Sequence, residues 1–216
     1  MRRTLLAVAL ATVALLAPAA AAGANDPVLL VHGWASSGTV WNTMVRNLER
    51  EGWRREEITN FSYRTSQSNV TTARDIESRV ATIRRNTGAA KVDIVTHSMG
   101  GLSSRYYIKT LRHEADVDEW VSLGGPNHGT TSASFCFETS CVEMRQRSAF
   151  LTALNEGDET PGAVNYATWW SSCDSIINPD ESVLLAGARN TAAGCVEHIA
   201  LTSDATVFAG VREFIR

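Results

Sequence analysis

One serine of the 216-residue chain stands where its hydroxyl can act as a nucleophile. The apolar run 92–96 predicts a buried strand, and His97, Ser98 and the glycines Gly100 and Gly101 come directly after it. A strand that turns this sharply into a helix lifts the serine hydroxyl above the sheet edge and sets it at the positive end of the helix. An ordinary serine N-cap is the alternative, but the strand before Ser98 and the glycines behind it favour a nucleophile.

Two backbone N–H groups are candidates for holding the oxyanion that forms when a serine attacks an ester carbonyl. One belongs to Met99, which follows the serine, and the other to Trp34, in the loop 32–34 after the first predicted strand. A glycine inside that loop lets its backbone approach the serine. The usual Gly-x-Ser-x-Gly turn has glycine where this chain has Thr96, so we expect a tighter approach of strand and helix there.

A serine hydroxyl becomes a good nucleophile only when a base takes its proton and an acid orients that base. Among the later histidines, His198 follows the last predicted strand, whereas His113 is typical of a helix-end cap and His128 of a loop residue. Asp174 comes straight after the fifth predicted strand, where parallel sheets place functional residues. Its rivals are typical of solvated loop charges: Asp158, Asp180, Glu181 and Glu197. The sequence therefore predicts a triad of Ser98, Asp174 and His198.

A parallel sheet would position these residues, and the alternation of apolar runs and helical periodicity along the chain predicts one. Apolar runs predict strands at 27–31, 58–63, 92–96, 120–123 and 163–170, with a sixth just before His198. Helical periodicity appears between them at 40–48, 73–83, 99–111, 142–154 and 207–214. Such alternation predicts one α/β domain with a mostly parallel six-stranded sheet and helices on both faces.

The first 24 residues have the layout of a secretory signal peptide. Arg2 and Arg3 precede an apolar stretch over 5–17, and Ala22-Gly23-Ala24 offers a small-residue cleavage site. The stretch is shorter than the roughly 18 residues of a membrane anchor, so we expect export and removal of 1–24. Residues 25–216 then form the predicted secreted, extracellular domain.

Four cysteines in an exported chain predict two disulfides, for which the sequence alone allows three pairings. We favour Cys136–Cys141 together with Cys173–Cys195. The second bridge would staple the loop of Asp174 to the loop of His198. A zinc site is the competing interpretation, but neither pair has CxxC spacing or a nearby histidine pair, so no metal is predicted.

The composition excludes one large class of partners. Lys+Arg number 20 against Asp+Glu 23, which gives a net charge of −3, and no basic run or face is visible. Phosphate-backbone binding needs such a face, so no nucleic-acid partner is expected. A transmembrane anchor is not expected either, and we expect a monomer.

Several segments together resemble the class 2 lipases, the small secreted bacterial triacylglycerol lipases of the α/β-hydrolase superfamily. They are 28–34 (VLLVHGW), 92–101 (VDIVTHSMGG), 106–109 (YYIK), 123–130 (LGGPNHGT), 171–174 (SSCD) and 187–190 (GARN). The resemblance implies an α/β-hydrolase fold and hydrolysis of acylglycerols at a lipid–water interface without a cofactor. It implies Ser98 as nucleophile, Asp174 as acid, His198 as base, and Trp34 and Met99 as oxyanion donors.

Other interpretations remain open from the sequence. A short-chain carboxylesterase or an acyltransferase would use the same triad, and a secreted binding protein that inherited the fold is the non-enzymatic alternative. Within 131–162, Val142, Phe150, Leu151 and Leu154 fit either a small lid or a helix packed on the core. Apolar side chains that we expect near the mouth, Trp34, Trp41 and Trp169, are candidates for acyl contact, although tryptophan is more often core.

Overall fold

The fold is built on one sheet of six parallel strands. The structure is a computed structural model that describes residues 25–216, so the predicted signal peptide over 1–24 lies outside the described residues. The strands are β1 (Val28–Val31), β2 (Ile58–Asn60), β3 (Val92–His97), β4 (Val117–Leu123), β5 (Asn165–Trp170) and β6 (Arg189–Ala192). Their order is β2-β1-β3-β4-β5-β6, and every neighbouring pair is parallel.

Helices connect the strands and return the chain across the sheet. They are α1 (Asn42–Arg50), α2 (Asn69–Thr87), α3 (Gly100–Arg105), α4 (Thr139–Met144), α5 (Ala149–Asn155) and α6 (Ala205–Phe214). Local sequence sets their ends: the Ser68 hydroxyl accepts the Val70 N–H at the start of α2, and Gly88 ends it with φ 75°. Helix α3 continues as a π-helical turn over Tyr106–Thr110.

Apolar side chains cover both faces of the sheet, as the sequence predicts. In β1, Val28 and Leu30 pack on one face with α1 and α6, while Leu29 and Val31 pack on the other with α2. All four side chains are buried, because a strand in the middle of a parallel sheet has helices on each side. The predicted single α/β domain is confirmed.

The segment 142–154 contains two short helices, where the sequence predicts one helical pattern. Helix α4 ends at Met144, Arg147 has a positive φ of 58°, and α5 then begins after Ser148. The Ser148 hydroxyl accepts the Leu151 N–H at 3.1 Å, so a serine in the middle of the apolar pattern is an N-cap. Leu151 and Leu154 pack on Met99 and Leu102, which places α5 on the core.

The sixth strand lies earlier than the sequence indicates. It spans Arg189–Ala192, and the loop 193–197 separates it from His198. The strand is polar and largely exposed because it forms the edge of the sheet, so it carries no apolar run. Among the described residues no helix is long and apolar enough to cross a bilayer.

Asp93 is the acidic residue among the six buried residues of β3. Its side chain is buried, Oδ1 accepts the Glu119 N–H at 3.2 Å, and Oδ2 has no hydrogen-bond partner among the described residues. Burial, with the nearby carboxylates of Glu119 and Asp26, raises the pKa of Asp93 well above its ordinary value. An ionised Asp93 therefore destabilises the folded state.

Asp93→Asn should raise the melting temperature at neutral pH. The raised pKa means that the folded chain holds a proton which the unfolded chain releases, so the penalty grows as the pH rises above the ordinary aspartate value. Asparagine has no such penalty, and we expect a gain of about 1 kcal/mol at pH 7 that shrinks on acidification. Calorimetry across pH 4 to 8 measures it. Asp118→Asn, which removes a half-buried ion pair with Lys91, is the control and should give no gain. A gain that persisted at low pH would contradict the explanation.

Candidate active site

Ser98 sits at a strained turn between β3 and α3. Its φ is +55°, a left-handed conformation that residues with a side chain rarely adopt. The turn is held from the adjacent strand, because the Ser98 N–H donates to the Leu123 carbonyl at 2.9 Å. The side chain is almost buried and reaches a cavity at the carboxyl ends of the strands. This is the geometry that the sequence predicts for a nucleophile at a sharp strand-to-helix turn.

Two glycines let the neighbouring backbone come close to Ser98. A Cβ on Gly33 would lie 2.6 Å from the Ser98 Cβ, and one on Gly100 would lie 2.6 Å from the Val31 carbonyl oxygen. Real Cβ atoms do not approach that closely, so glycine is required at both positions. Thr96 is accommodated because its hydroxyl turns toward β4 and donates to the Val121 carbonyl at 2.8 Å.

Asp174 and His198 form a hydrogen-bonded pair beside the same cavity. The His198 Nδ1 donates to Asp174 Oδ2 at 2.7 Å, and Asp174 Oδ1 accepts the N–H groups of Ile176 and Ile177 at 2.9 and 3.0 Å. Burial alone would raise the pKa of Asp174, but the hydrogen bond and charge of His198, with the two N–H groups, hold it below its ordinary value. Asp174 is therefore an anion that fixes the orientation of the imidazole.

Ser98 and His198 line one cavity without contacting each other through a hydrogen bond. Within residues 25–216, the Ser98 hydroxyl forms no hydrogen bond, and the His198 ring is hydrogen-bonded to Asp174. Hydrogen bonds between a nucleophile and its base are often long until substrate binds. The structure thus brings the three predicted residues to one site and pairs two of them.

The loops that carry Asp174 and His198 are joined twice. The structure contains both favoured disulfides, Cys136–Cys141 and Cys173–Cys195, so the presence of two disulfides is confirmed. The Ser171 hydroxyl adds a second link, because it donates to the Gly194 carbonyl at 2.9 Å and accepts the Val196 N–H at 2.8 Å. The loop after β5 that carries Asp174 and the loop after β6 that carries His198 are therefore tethered to each other by a covalent bond and by hydrogen bonds.

His97 holds the backbone of His198, the predicted base. Its Nε2–H donates to the His198 carbonyl at 2.9 Å, and the two rings lie 4.5 Å apart between centroids. Burial, followed by the proximity of His198, lowers the pKa of His97 to about 3. His97 is therefore neutral and keeps the proton on Nε2, which the sequence analysis did not anticipate.

The loop 32–34, which carries the predicted donor Trp34, lies beside Ser98 through Gly33. The His32 Nδ1 donates to the Gly33 carbonyl at 2.8 Å, so the Gly33 carbonyl points toward His32. Because the peptide is trans, the Trp34 N–H points the opposite way. The Tyr63 hydroxyl donates to the His32 carbonyl and fixes the loop from behind. Met99, the second predicted donor, begins the turn into α3.

A cavity of about 460 Å³ opens over Ser98 and His198. Apolar side chains dominate its walls and the polar groups are few, which is typical of a small-molecule site. Trp34, Met144 and Ile177 line it, and so do Cys136 and Cys141 from the segment before α4 and in it. Trp41 and Trp169 do not, because both are buried in the core with α1 and α6, so the expected acyl contact is wrong for these two.

The rival residues lie elsewhere. His113 is hydrogen-bonded to Asp116 and Glu77, and His128 to Glu159, and neither histidine lines the cavity. Among residues 25–216, the His198 ring is hydrogen-bonded to Asp174 and to none of the rival acids Asp158, Asp180, Glu181 and Glu197. One residue that the sequence analysis missed is Gly124, with φ 57°, where a Cβ would lie 3.0 Å from Asp174 Oδ2. The Gly-Gly-Pro sequence that ends β4 was the available signal.

The comparison with protein families identifies the chain. The model of the family described as Lipase (class 2) matches residues 25–193. The chain belongs to the class 2 lipase family. It is accordingly a hydrolase of the α/β-hydrolase type, and the match spans Ser98, Trp34 and Asp174 but ends before His198.

Solved structures share the fold of this class 2 lipase at low sequence identity. A Bacillus licheniformis lipase, BlEst2 in its mature form, superposes with a TM-score of 0.79 at 16% identity, over 89% of this chain and 93% of that one. Aspergillus fumigatus lipase B gives 0.71 at 17%, over 86% and 51%. The phospholipase PlaB of Legionella pneumophila gives 0.72 at 12%, over 89% and 59%. These similarities establish the architecture alone.

Removing the Cys173–Cys195 bridge should lower both stability and activity. The bridge closes a loop with a sequence separation of 22, so the double change Cys173→Ser with Cys195→Ser should cost about 3 kcal/mol of unfolding free energy. Denaturant unfolding measures the free energy, and turnover of a soluble ester measures the activity. The control is Cys136→Ser with Cys141→Ser, whose shorter loop of separation 5 predicts a smaller loss of stability. Equal losses in the two double variants would contradict the prediction.

Proposed function

We propose that this class 2 lipase hydrolyses the carboxylic ester bonds of acylglycerols with Ser98 as nucleophile, His198 as base and Asp174 as its orienting acid. The observation that supports the proposal most directly is the buried Asp174–His198 hydrogen bond beside the cavity that Ser98 and His198 line. A histidine held by a carboxylate beside a strained serine is suited to acyl transfer.

The reaction proceeds in two halves. As Ser98 Oγ bonds to the ester carbonyl carbon, its proton passes to His198 Nε2, and the N–H groups of Trp34 and Met99 hold the oxyanion. The ester C–O bond then breaks, and His198 gives the proton to the leaving alcohol. Water attacks the acyl-enzyme with His198 again as base, which releases the carboxylic acid and restores the Ser98 hydroxyl.

The chain's own groups account for every proton transfer in this scheme, so we propose no cofactor. The apolar walls of the cavity suit a hydrocarbon chain better than a polar acyl group. Two disulfides are typical of an oxidising compartment, which supports the proposal that the protein is secreted after removal of residues 1–24. We also propose that it acts as a monomer.

Ser98→Ala should abolish hydrolysis. Loss of the nucleophile removes the covalent route, and we expect the rate to fall by about 10⁴-fold or more with the fold intact. The measurement is hydrolysis of p-nitrophenyl esters from acetate to palmitate, with circular dichroism to verify folding. A preference for the longer chains supports an acylglycerol substrate, whereas a sharp preference for acetate would point to a short-chain carboxylesterase. Retained hydrolysis in Ser98→Ala would sink the proposal.

Asp174→Asn should reduce kcat far more than it changes KM. The asparagine amide donates where the carboxylate accepts, so it favours the wrong tautomer of His198, and we expect kcat to fall by about 10³- to 10⁴-fold. Steady-state kinetics on p-nitrophenyl butyrate measure the change. Asp158→Asn and Asp180→Asn are the matched controls, because neither carboxylate is hydrogen-bonded to His198, and they should leave kcat within about twofold. A larger loss in either control than in Asp174→Asn would reassign the acid.

A further inference from the structure

Four carboxylates lie together at the end of the sheet opposite to Ser98. Asp26 comes shortly before β1, Asp93 is the second residue of β3, and Asp118 and Glu119 lie near the start of β4. All four line a cavity of about 280 Å³, which we call the acidic cavity. Because β1, β3 and β4 are parallel neighbours, the ends that carry these acids meet on one side of the sheet, and the turn at Ser98 lies on the other.

An irregular pairing brings two of the acids opposite a third. The register of β3 against β4 shifts between Val92 and Ile94, so that Asp118 and Glu119 together oppose Asp93. A bulge of this kind re-aims a side chain and is enriched at functional sites. The shift therefore sets three acidic side chains at a place where regular pairing would set two.

The carboxylates are each held through one oxygen. Asp93 Oδ1 accepts the Glu119 N–H at 3.2 Å. Glu119 Oε1 accepts an Asn165 Nδ2–H at 3.0 Å, and Asp118 Oδ1 pairs with Lys91 Nζ at 2.6 Å. Asp93 is completely buried, and within residues 25–216 its Oδ2 has no hydrogen-bond partner. A buried carboxylate oxygen without a donor costs free energy, so its place in the wall of the acidic cavity points to a ligand.

The acidic cavity holds more negative than positive charge. Lys91 pairs with Asp118, and Arg216, which also lines the cavity, is held by Glu51 at 3.0 Å. The other three carboxylates of the cavity form no ion pair with any residue in the described range 25–216. Burial, followed by the charges of two acidic neighbours, raises the pKa of Asp26. A cation between these groups would therefore stabilise the folded chain.

The atoms that line the cavity select a hard cation. The ligands on offer are oxygens, from the four carboxylates and from the side-chain amide of Asn25. Oxygen ligands suit Ca²⁺ and Mg²⁺, whereas structural Zn²⁺ sites are built from Cys and His. Ca²⁺ accepts about six to eight oxygens in a flexible geometry, but Mg²⁺ demands a near-ideal octahedron. Side chains from three strands, with water in the remaining volume, fit the coordination of Ca²⁺.

We propose that the acidic cavity is a structural Ca²⁺ site, with Asp93 and Glu119 as inner ligands and Asp26 and Asp118 as outer negative charges. The ion neutralises one end of the three strands whose other ends form the turn at Ser98. Asp93 stands about 16 Å before Ser98 along β3, so the ion takes no part in ester hydrolysis. The inference goes beyond the proposed function and does not rest on it.

Calcium should stabilise the parent chain far more than the Asp93→Asn variant. Extracellular sites bind Ca²⁺ with a Kd of about 10⁻⁴–10⁻³ M, so about 10 mM Ca²⁺ should raise the parent's melting temperature by about 3 °C or more over a chelator. Calorimetric titration should give one Ca²⁺ per chain, with affinity at least about tenfold lower in Asp93→Asn. In chelator the variant is the more stable of the two, and in Ca²⁺ the parent overtakes it.

Two further variants separate coordination from loss of charge. Asp158→Asn is the matched control, because it removes the same charge from an exposed loop, and it should keep the full calcium-dependent rise. Glu119→Gln keeps an oxygen for the contact with Asn165 and should weaken Ca²⁺ binding about tenfold. Well below the melting temperature, the parent's hydrolysis of p-nitrophenyl butyrate should be equal in Ca²⁺ and in chelator.

Several outcomes would overturn the proposal. Equal rises in the parent and Asp93→Asn, or an equal rise in NaCl of the same ionic strength, would reduce the effect to screening of surface charge. A loss of turnover in chelator well below melting would contradict a purely structural ion. No response to Ca²⁺ would remove the metal, and a loss of stability on acetylating the α-amino group of a chain that begins at Asn25 would then assign the cation to that ammonium. The melting and calorimetric readouts require no hydrolysis, so they decide the site even if the proposed function fails.

Discussion

The left-handed backbone of Ser98 is the constraint on which the site depends. A residue with a side chain pays about 1–2 kcal/mol for that conformation, so the surrounding structure has to impose it. The ends of three adjacent strands do so. β1 brings Gly33 against the serine, β3 leads into the turn, and β4 accepts the Ser98 N–H through Leu123. β3 lies between β1 and β4 in the sheet. The strand order therefore brings both neighbours to the turn that holds Ser98.

The other half of the site is built on a different principle. Asp174 and His198 lie on loops after β5 and β6, at an edge where the sheet gives little support. Their geometry depends instead on local links: the bridge between Cys173 and Cys195, the Ser171 hydroxyl, and the hydrogen bond from His97. His97 is the residue before Ser98, so the end of β3 positions the serine and also holds the backbone of the proposed base.

The sequence predicted the parts of the molecule where local pattern and tertiary role agree. The buried strands are apolar because helices cover them on both sides, and the turn at Ser98 has a recognisable composition. Prediction was weaker where contacts between distant parts of the chain determine where a strand or helix begins and ends. β6 is polar and gives no periodic signal, and Ser148 divides a continuous apolar pattern by capping α5. The contact of Trp34 with Glu138 joins residues 104 apart, which no local pattern indicates.

The covalent link between the loops of Asp174 and His198 has a consequence for proteolysis of the chain. Residues 173 and 195 are joined through their sulfur atoms, so hydrolysis of any one peptide bond between them leaves a nicked chain whose two pieces stay attached. Asp174 would then lie directly beside one attachment point, and His198 three residues beyond the other. A single cut between residues 173 and 195 would therefore release no fragment.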